Sequence, residues 1–303
     1  MRAQAPETPS GPLSPAVAAR LVPRTILDLG GGRTLAYAEM GHGPPLVAIH
    51  GTLMSLEDLW LGPVPHLARH FRVIAVDRPG HGFSRRLGAA DAESWRQTAL
   101  IRDGARVLGL ERPVILGHSY GGAVALAYAL QFPDEIAGAV ALAPICFPEP
   151  RVEHLIFGPR AAPGGGLLSG VLERSADPAL LPLLWNAMFL PAVMPTEFAA
   201  AYPFGLAGHA AQLVAEGEDA AGLAAGLMRS ALSYGTCRVP VQILGGDSDI
   251  VVSTPRHGAL ASLQIPGARF RSLSRTGHML HHQHPEAVVD AALAILAAHR
   301  EKA

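Results

Sequence analysis

The 303-residue chain has few of the features that mark a secreted or a nucleic-acid-binding protein. It contains two cysteines, Cys146 and Cys237, which are too few for a disulfide framework or a four-thiolate zinc site. Charged residues make up 16%, the formal net charge is -1, and lysine and arginine form no block, so the sequence has no basic footprint for nucleic acid. We therefore expect free thiols and small-molecule partners, with no nucleic acid.

Long apolar runs are also absent. The longest nearly apolar stretch, residues 136–147, is interrupted by Gly138 and Pro144 and is shorter than the roughly 18 residues that a membrane span requires. The first residues are proline-rich and lack the basic flank and apolar stretch of a secretory signal. These observations predict a cytoplasmic protein without a membrane span. With 49% hydrophobic residues, the chain can bury a substantial core.

Short apolar runs alternate with helical patterns along most of the chain. Residues 24–29 and 33–39 flank three glycines and predict an antiparallel hairpin. Later runs are short and continuously apolar, which is typical of strands buried on both faces of a parallel sheet. These runs are residues 45–49, 72–76, 113–116, 137–142, 239–244 and 269–273. The helical patterns between them cover residues 92–108, 122–131, 254–263 and 285–299. The alternation predicts an α/β fold, with a mostly parallel central sheet and helices on both faces.

One connection is too long for this pattern. About 95 residues separate the strand that ends near residue 143 from the next one, against roughly 4 to 6 in an ordinary connection. Helical patterns within it, at residues 167–174, 179–189, 195–201 and 221–233, predict an inserted, mostly helical lid. The predicted organisation is a flexible N-terminal leader, a core domain in two pieces and a helical cap or lid. Their residues are 1–22 for the leader, 23–144 and 237–303 for the core, and 145–236 for the lid.

The strongest signal is the sequence G-x-S-x-G at residues 117–121, between a predicted strand and a predicted helix. Ser119 lies between Gly117 and Gly121, where a sharp turn leaves no room for side chains and lifts the serine hydroxyl above the sheet edge. The helix that follows supplies unpaired N–H groups and partial positive charge close to a developing oxyanion. This context indicates a catalytic nucleophile rather than an incidental glycine-rich turn.

With these motifs the chain resembles the α/β-hydrolase family from about residue 24 to its C-terminus. The family's landmarks occur in the family's order: His50-Gly51 after the first parallel strand, residues 77–84 (DRPGHGFS) after the next, the serine elbow, and then an acid and a histidine. The resemblance implies that the backbone N–H groups of Thr52 and Tyr120 form an oxyanion hole.

A carboxylate is needed to fix the tautomer of the histidine and to stabilise its imidazolium form. The family's G-x-x-D pattern implies Asp249, three residues after Gly246, whereas Asp247 is a competitor that could instead accept loop N–H groups. The histidine is His278, which follows the last predicted strand, and the chain order Ser, Asp, His is the one that the hydrolase fold uses.

Histidines also cluster after His278. His281, His282 and His284 suggest metal ligands, since His278 and His282 are four residues apart and could share a helical face. No glutamate completes an H-E-x-x-H arrangement, so we expect no metal. A mechanism that uses a serine, a histidine and an aspartate requires no cofactor, and we expect none. Three further histidines are expected to brace loops through hydrogen bonds: His50, His81 and His118.

These assignments predict a serine hydrolase of the carboxylesterase type. His278 would take the proton from Ser119 during attack on a carbonyl, and water would later release the acyl group. The family comparison implies that relatives which open epoxides or remove halide use an aspartate nucleophile, so Ser119 argues against both reactions. Three alternatives stay open: an acyltransferase or a C–C bond hydrolase with the same triad and, from a different class, a non-catalytic ligand-binding receptor or scaffold.

The predicted lid is apolar and carries few charges. Lids of this type roof the pocket, which favours an ester with a medium-chain or aromatic acyl or alcohol group. Apolar residues at helical spacing more often pack against the core domain than contact a ligand. The residues expected to contact the substrate are Leu53, Trp185, Met188, Phe189 and Met279.

Overall fold

The computed structural model describes residues 13–301, and an eight-stranded sheet runs through its centre. The strands are β1 (Thr25–Gly30), β2 (Arg33–Met40), β3 (Pro45–Ile49), β4 (Arg72–Val76), β5 (Val114–His118), β6 (Gly138–Leu142), β7 (Val241–Gly246) and β8 (Arg269–Leu273). Their order across the sheet is β1-β2-β4-β3-β5-β6-β7-β8. The β1–β2 and β2–β4 pairs are antiparallel and the other pairs are parallel. The predicted mostly parallel α/β sheet is confirmed.

All eight predicted strands are present, and their ends differ from the predicted ones by at most two residues. The last strand, β8, differs in its burial. It lies at the edge of the sheet, where Arg269, Arg271 and Ser272 are exposed and Leu273 is buried. An edge strand has one unpaired side and less cover, so polar side chains reach solvent there. The prediction that this strand is buried on both faces is wrong.

Helices cover both faces of the sheet. In chain order they are α1 (Pro15–Ala18), α2 (Leu56–Leu61), α3 (Val64–Leu67), α4 (Ser94–Val107), α5 (Tyr120–Gln131), α6 (Val152–Ile156), α7 (Gly165–Leu172), α8 (Asp177–Phe189), α9 (Thr196–Ala201), α10 (Phe204–Ala207), α11 (Ala210–Ser233), α12 (Leu260–Gln264), α13 (Leu280–Gln283) and α14 (Pro285–Arg300). Side chains alternate along each strand. In β3, Val47 and Ile49 pack with α4 and α5, whereas Leu46 and Ala48 pack with α2, α3 and α14.

Residues 145–236, which we call the insertion, contain α6 to α11 between β6 and β7. Its apolar side chains pack on Leu53 and Met54, in the loop after β3, and on Met279. The long helix α11 begins at Ala210, eleven residues before the predicted start at position 221. The prediction misses the first turns because they bury charged side chains, which interrupt the apolar spacing of the helix. Glu216 and Asp219 are two of these buried charges.

The N-terminal segment is only partly described. Residues 1–12 of the predicted leader lie outside the described residues, and the helix α1 follows them. Val17 in α1 packs on a small cluster that joins Phe83 of the core to Leu206 of the insertion.

Two predicted absences can be checked within residues 13–301. Cys146 and Cys237 are both buried and are not joined by a disulfide bond. No helix in this part of the chain has both the length and the apolar character to cross a membrane.

Candidate active site

Ser119 lies at the sharp turn between β5 and α5. Its backbone has φ 54° and ψ −115°, a conformation that a residue with a side chain seldom adopts. The glycines on either side make the turn possible: a Cβ on Gly117 would overlap the carbonyl oxygen of Gly121, and a Cβ on Gly121 would overlap that of Ile49. The local sequence therefore forces the serine out of the strand and toward a cavity that it lines.

Asp249 and His278 come from the loops after β7 and β8 and are hydrogen-bonded to each other. His278 Nδ1 donates to Asp249 Oδ2 at 2.8 Å, and Asp249 Oδ1 accepts the N–H groups of Val251 and Val252 at 2.8 and 2.9 Å. Burial alone would raise the pKa of Asp249. The charge and hydrogen bond of His278, together with the two backbone donors, hold that pKa below its ordinary value. The acid is therefore a carboxylate that keeps the proton of the imidazole on Nδ1.

The loop of His278 must reach back across the sheet, since β8 is three strands from β5. His118 Nε2 donates to the carbonyl oxygen of His278 at 3.0 Å, and the two imidazole centroids are 4.7 Å apart. A glycine at position 277 lets this loop pass the carbonyl oxygen of Leu190, which a Cβ would overlap. Within residues 13–301 the Nε2 atom of His278 has no hydrogen-bond partner, and it lines the same cavity as Ser119. This nitrogen is free to accept a proton.

Asp247, the competing acid, has different surroundings from those of Asp249. Its side chain is exposed and accepts a hydrogen bond from Ser248 Oγ at 2.8 Å. The carboxylate that contacts the histidine in the structure is that of Asp249.

Two unpaired backbone donors flank the serine. β3 pairs with β5, so the loop after β3 runs beside the elbow, and a Cβ on Gly51 would lie 3.1 Å from Ser119 Cβ. Tyr120 begins α5, and its N–H is one of the free donors of the first helical turn. Among the described residues, neither this N–H nor that of Thr52 has an acceptor. Donors in these positions are suited to a negatively charged oxygen.

The cavity above Ser119 has a volume of about 360 Å³. Its walls are largely apolar side chains: Leu53, Ile156, Phe157, Leu184, Met188 and Val251. Arg151 also lines it, and its guanidinium donates to Glu149 at 2.9 Å and to Glu153 at 2.7 Å. The positive charge of this arginine is therefore already paired within the protein.

The five predicted substrate contacts fall into two groups. Leu53 and Met188 line the cavity, whereas Trp185, Phe189 and Met279 are buried behind the lining. Trp185 instead donates its Nε1–H to the carbonyl oxygen of Leu53 at 3.1 Å. Helical spacing identifies the apolar face of α8 but does not distinguish the residues of that face that line the cavity from those that pack behind it. Tertiary packing decides this.

The histidines that follow His278 pack beneath the site. His281 and His282 both direct Nε2 toward Asp58 Oδ1, at 3.0 and 2.8 Å, whereas His284 bonds to Thr276 instead. Asp58, His281 and His282 are close enough to share a metal ion. Burial alone would raise the pKa of Asp58, but the two histidines lower it well below its ordinary value. Sequence reasoning missed Asp58, because nothing in α2 distinguishes a buried acid from an exposed one.

A second buried cluster joins the insertion to the core. His81, Glu216 and Asp219 could also share a metal ion, but Asp219 is paired with Arg78 and Arg86, whose charges oppose a cation. The predicted structural role of His81 agrees with this position. Glu216 and Asp219 were also missed, because their partners lie more than a hundred residues away in the sequence.

The chain is similar to known proteins over most of its length. A family model described as the alpha/beta hydrolase fold matches residues 44–162. An uncharacterized protein of Mycobacterium tuberculosis is 30% identical over 288 residues, which cover 86% of this chain and 77% of that protein. The chain belongs to the α/β-hydrolase family.

Two relatives of this hydrolase have named activities but match over shorter stretches. A 2-hydroxy-6-oxo-2,4-heptadienoate hydrolase of Pseudomonas putida is 37% identical over 113 residues, 36% of this chain and 40% of that enzyme. A pimeloyl-[acyl-carrier protein] methyl ester esterase of Nitrosospira multiformis is 38% identical over 109 residues, 35% of this chain and 40% of that enzyme. Among solved structures, a hydrolase from Pseudomonas aeruginosa superposes with a TM-score of 0.70 at 23% identity, over 91% of this chain and 98% of that one, which shows the shared fold.

Proposed function

We propose that this hydrolase cleaves a carboxylic ester with an apolar acyl or alcohol group, through an acyl-enzyme on Ser119. The observation that carries the proposal is the 2.8 Å hydrogen bond between His278 and Asp249, made by a histidine that lines the same cavity as Ser119. With its proton fixed on Nδ1, the imidazole presents a lone pair on Nε2 that can take the proton of the serine hydroxyl.

The reaction follows from these positions. Ser119 Oγ bonds to the carbonyl carbon of the ester while its proton moves to His278 Nε2. The carbonyl oxygen becomes an oxyanion, which accepts hydrogen bonds from the backbone N–H groups of Thr52 and Tyr120. Each such donor contributes roughly 3 to 4 kcal/mol of transition-state stabilisation in comparable sites. The intermediate then expels the alcohol, which takes the proton from His278. Water then attacks the acyl carbon while its proton moves to the same nitrogen. The bond between this carbon and Ser119 Oγ breaks, His278 returns the proton to Oγ, and the carboxylic acid is released.

The cavity favours a neutral, apolar substrate. Its volume of about 360 Å³ suits a small to medium ligand, and most of its lining is aliphatic or aromatic. Arg151 offers little positive charge to a substrate carboxylate, because Glu149 and Glu153 already neutralise it. The similarity to a methyl ester esterase also supports an ester.

A C–C bond hydrolase is the second candidate, since the Pseudomonas putida relative is named as a hydrolase of a heptadienoate. That compound carries a carboxylate, which the paired Arg151 would receive poorly. The two candidates can therefore be separated by comparing a neutral ester with an anionic vinylogous diketo acid.

The test uses p-nitrophenyl acetate, butyrate and octanoate with the parent protein and with Ser119→Ala. We expect hydrolysis by the parent and a loss of kcat of at least about 10⁴-fold in the variant, because the nucleophile is removed. Circular dichroism and thermal melting of both proteins control for folding. Equal turnover in both would exclude Ser119 from the mechanism, and faster cleavage of the diketo acid than of every ester would favour the second candidate.

A further inference from the structure

The loop after β3 carries the proposed oxyanion donor in an unusual backbone conformation. Thr52 is followed by Leu53, whose φ of 58° lies in the left-handed region that side-chain-bearing residues seldom occupy. Such a conformation persists when the surrounding structure holds it in place. The contacts that hold it here come from the insertion.

Three side chains of the insertion bind three consecutive peptide units of this loop, those between residues 52 and 55. The N–H of Leu53 donates to Glu216 Oε1 at 2.6 Å, and the carbonyl oxygen of Leu53 accepts the indole N–H of Trp185 at 3.1 Å. The N–H of Ser55 donates to the hydroxyl oxygen of Tyr202 at 2.9 Å. These side chains come from α11, from α8 and from the residue that follows α9, so three separate segments converge on the loop.

These contacts fix the backbone next to the donor. The N–H of Leu53 and the carbonyl of Thr52 belong to one peptide plane, which adjoins the plane that carries the N–H of Thr52. The two planes are joined at the Cα of Thr52, so fixing the first plane in space restricts the positions that the second can take. Glu216 fixes the first plane, because a buried N–H that lost its acceptor would be costly.

We propose that Glu216, Trp185 and Tyr202 are positioning residues for the oxyanion hole, so that the hole is complete only while the insertion is seated on the core. The inference rests on the proposed function, since it takes the N–H of Thr52 as an oxyanion donor. None of the three needs to touch the substrate, and Trp185, Tyr202 and Glu216 lie outside the cavity lining. Loosening the loop therefore weakens binding of the transition state much more than binding of the ground state.

The surroundings of Glu216 suggest a matched pair of substitutions. Its carboxylate lies 3.3 Å from His81 Nε2 and 3.9 Å from the guanidinium of Arg78, which is a buried positive charge. Glu216→Ala would remove this carboxylate and leave the buried N–H of Leu53 without an acceptor, so it tests stability and positioning together. Glu216→Gln keeps an acceptor for the N–H of Leu53 at nearly the same volume, so it serves as the conservative variant.

The decisive variants are Trp185→Phe and Tyr202→Phe, each of which removes one hydrogen-bonding group and keeps a ring. Ser230→Ala is the control, because it removes a different hydrogen bond between α11 and the core, 2.9 Å from Trp95 Nε1, that does not involve the loop. For each protein we would measure kcat and KM on p-nitrophenyl butyrate, together with inhibition by an alkyl trifluoromethyl ketone, whose serine adduct carries an oxyanion. The matching alkyl methyl ketone serves as a ground-state ligand.

We expect Trp185→Phe and Tyr202→Phe to lower kcat by about 10- to 100-fold and to weaken binding of the trifluoromethyl ketone by the same factor. This loss is smaller than the loss expected when an oxyanion donor is removed completely. KM and methyl ketone binding should stay within about twofold, and Glu216→Gln and Ser230→Ala should behave like the parent. A fall in kcat without weaker trifluoromethyl ketone binding would overturn the proposal. So would an equal fall in Ser230→Ala.

The same experiment separates this inference from the proposed function. If Ser119→Ala abolishes turnover while Trp185→Phe and Tyr202→Phe match the parent, the esterase assignment stands and the positioning role is wrong. If the parent and Ser119→Ala turn over esters equally, the esterase assignment fails and the positioning role fails with it.

Discussion

Replacing Asp249 by asparagine changes the tautomer of His278 with little change in shape. The Oδ1 atom of the carboxylate accepts the N–H groups of Val251 and Val252, and Oδ2 accepts the Nδ1–H of the imidazole. In Asp249→Asn the amide oxygen would keep the two backbone donors, because the NH₂ group cannot accept them. The NH₂ group would then face Nδ1 of the imidazole.

Two donors cannot share that contact, so the ring would move its proton from Nδ1 to Nε2 and accept from the amide. The nitrogen that faces the cavity would then carry a hydrogen and could no longer take the proton of Ser119. Loss of the correct tautomer costs about 10⁴-fold in kcat in a comparable serine enzyme. At about 1.36 kcal/mol per factor of ten, this corresponds to about 5.4 kcal/mol of the activation barrier.

The assay is steady-state hydrolysis of p-nitrophenyl butyrate, with Asp247→Asn as the matched control. Asp247 is exposed, bonds to Ser248 Oγ and carries the same charge, so its replacement should leave kcat within about twofold. The reasoning is refuted if Asp249→Asn keeps more than a tenth of the parent kcat. It is also refuted if both substitutions reduce kcat to a similar extent.

Two further predictions concern stability. Burial lowers the pKa of His50 and of His118 well below the ordinary value. Below about pH 6.5 the unfolded chain therefore binds protons that the folded chain does not. As the pH decreases further, the free energy of unfolding should fall by about 1.4 kcal/mol per pH unit for each of the two histidines. Urea unfolding at pH 7.5 and 5.5 measures this, and equal free energies would contradict it. Gly121→Ala should destabilise the protein by more than about 2 kcal/mol, because its Cβ would overlap the carbonyl oxygen of Ile49, whereas Gly170→Ala, in α7 with open space around it, should raise the free energy of unfolding by about 0.5 to 1 kcal/mol. Melting temperatures that move in the same direction for both glycine variants would contradict the packing argument.

The features that could be predicted from the sequence depend on neighbouring residues. The strands are short apolar runs, and the turn at Ser119 is set by the glycines at positions 117 and 121, whose contacts lie within the elbow and the adjoining strand. Chain order predicts that an acid after β7 meets a histidine after β8, because these strands are adjacent and parallel, whereas the choice of Asp249 over Asp247 comes from the family's G-x-x-D pattern.

The features that could not be predicted depend on distant partners. Glu216 contacts Leu53 across 163 residues, and a buried carboxylate in a helix has the same sequence appearance as one in solvent. The first turns of α11 bury polar side chains, so apolar residues do not recur at helical spacing there. The helix predicted from that spacing therefore begins too late. The cavity face of α8 was ambiguous for the opposite reason, since Trp185 and Met188 are both apolar and only Met188 meets the cavity.

The insertion is held to the core by charges as well as by apolar packing, and this bears on how a substrate enters. Asp219 in α11 pairs with Arg78 and Arg86, all of them buried. Buried ion pairs add little net stability, but separating them costs several kcal/mol because each charge loses its partner. A lid that lifted away in every turnover would meet this cost each time.

Val152 and Ile250 line the cavity and are 57% and 67% exposed, so they mark its mouth. Entry past these two side chains leaves the ion pairs and the loop after β3 intact.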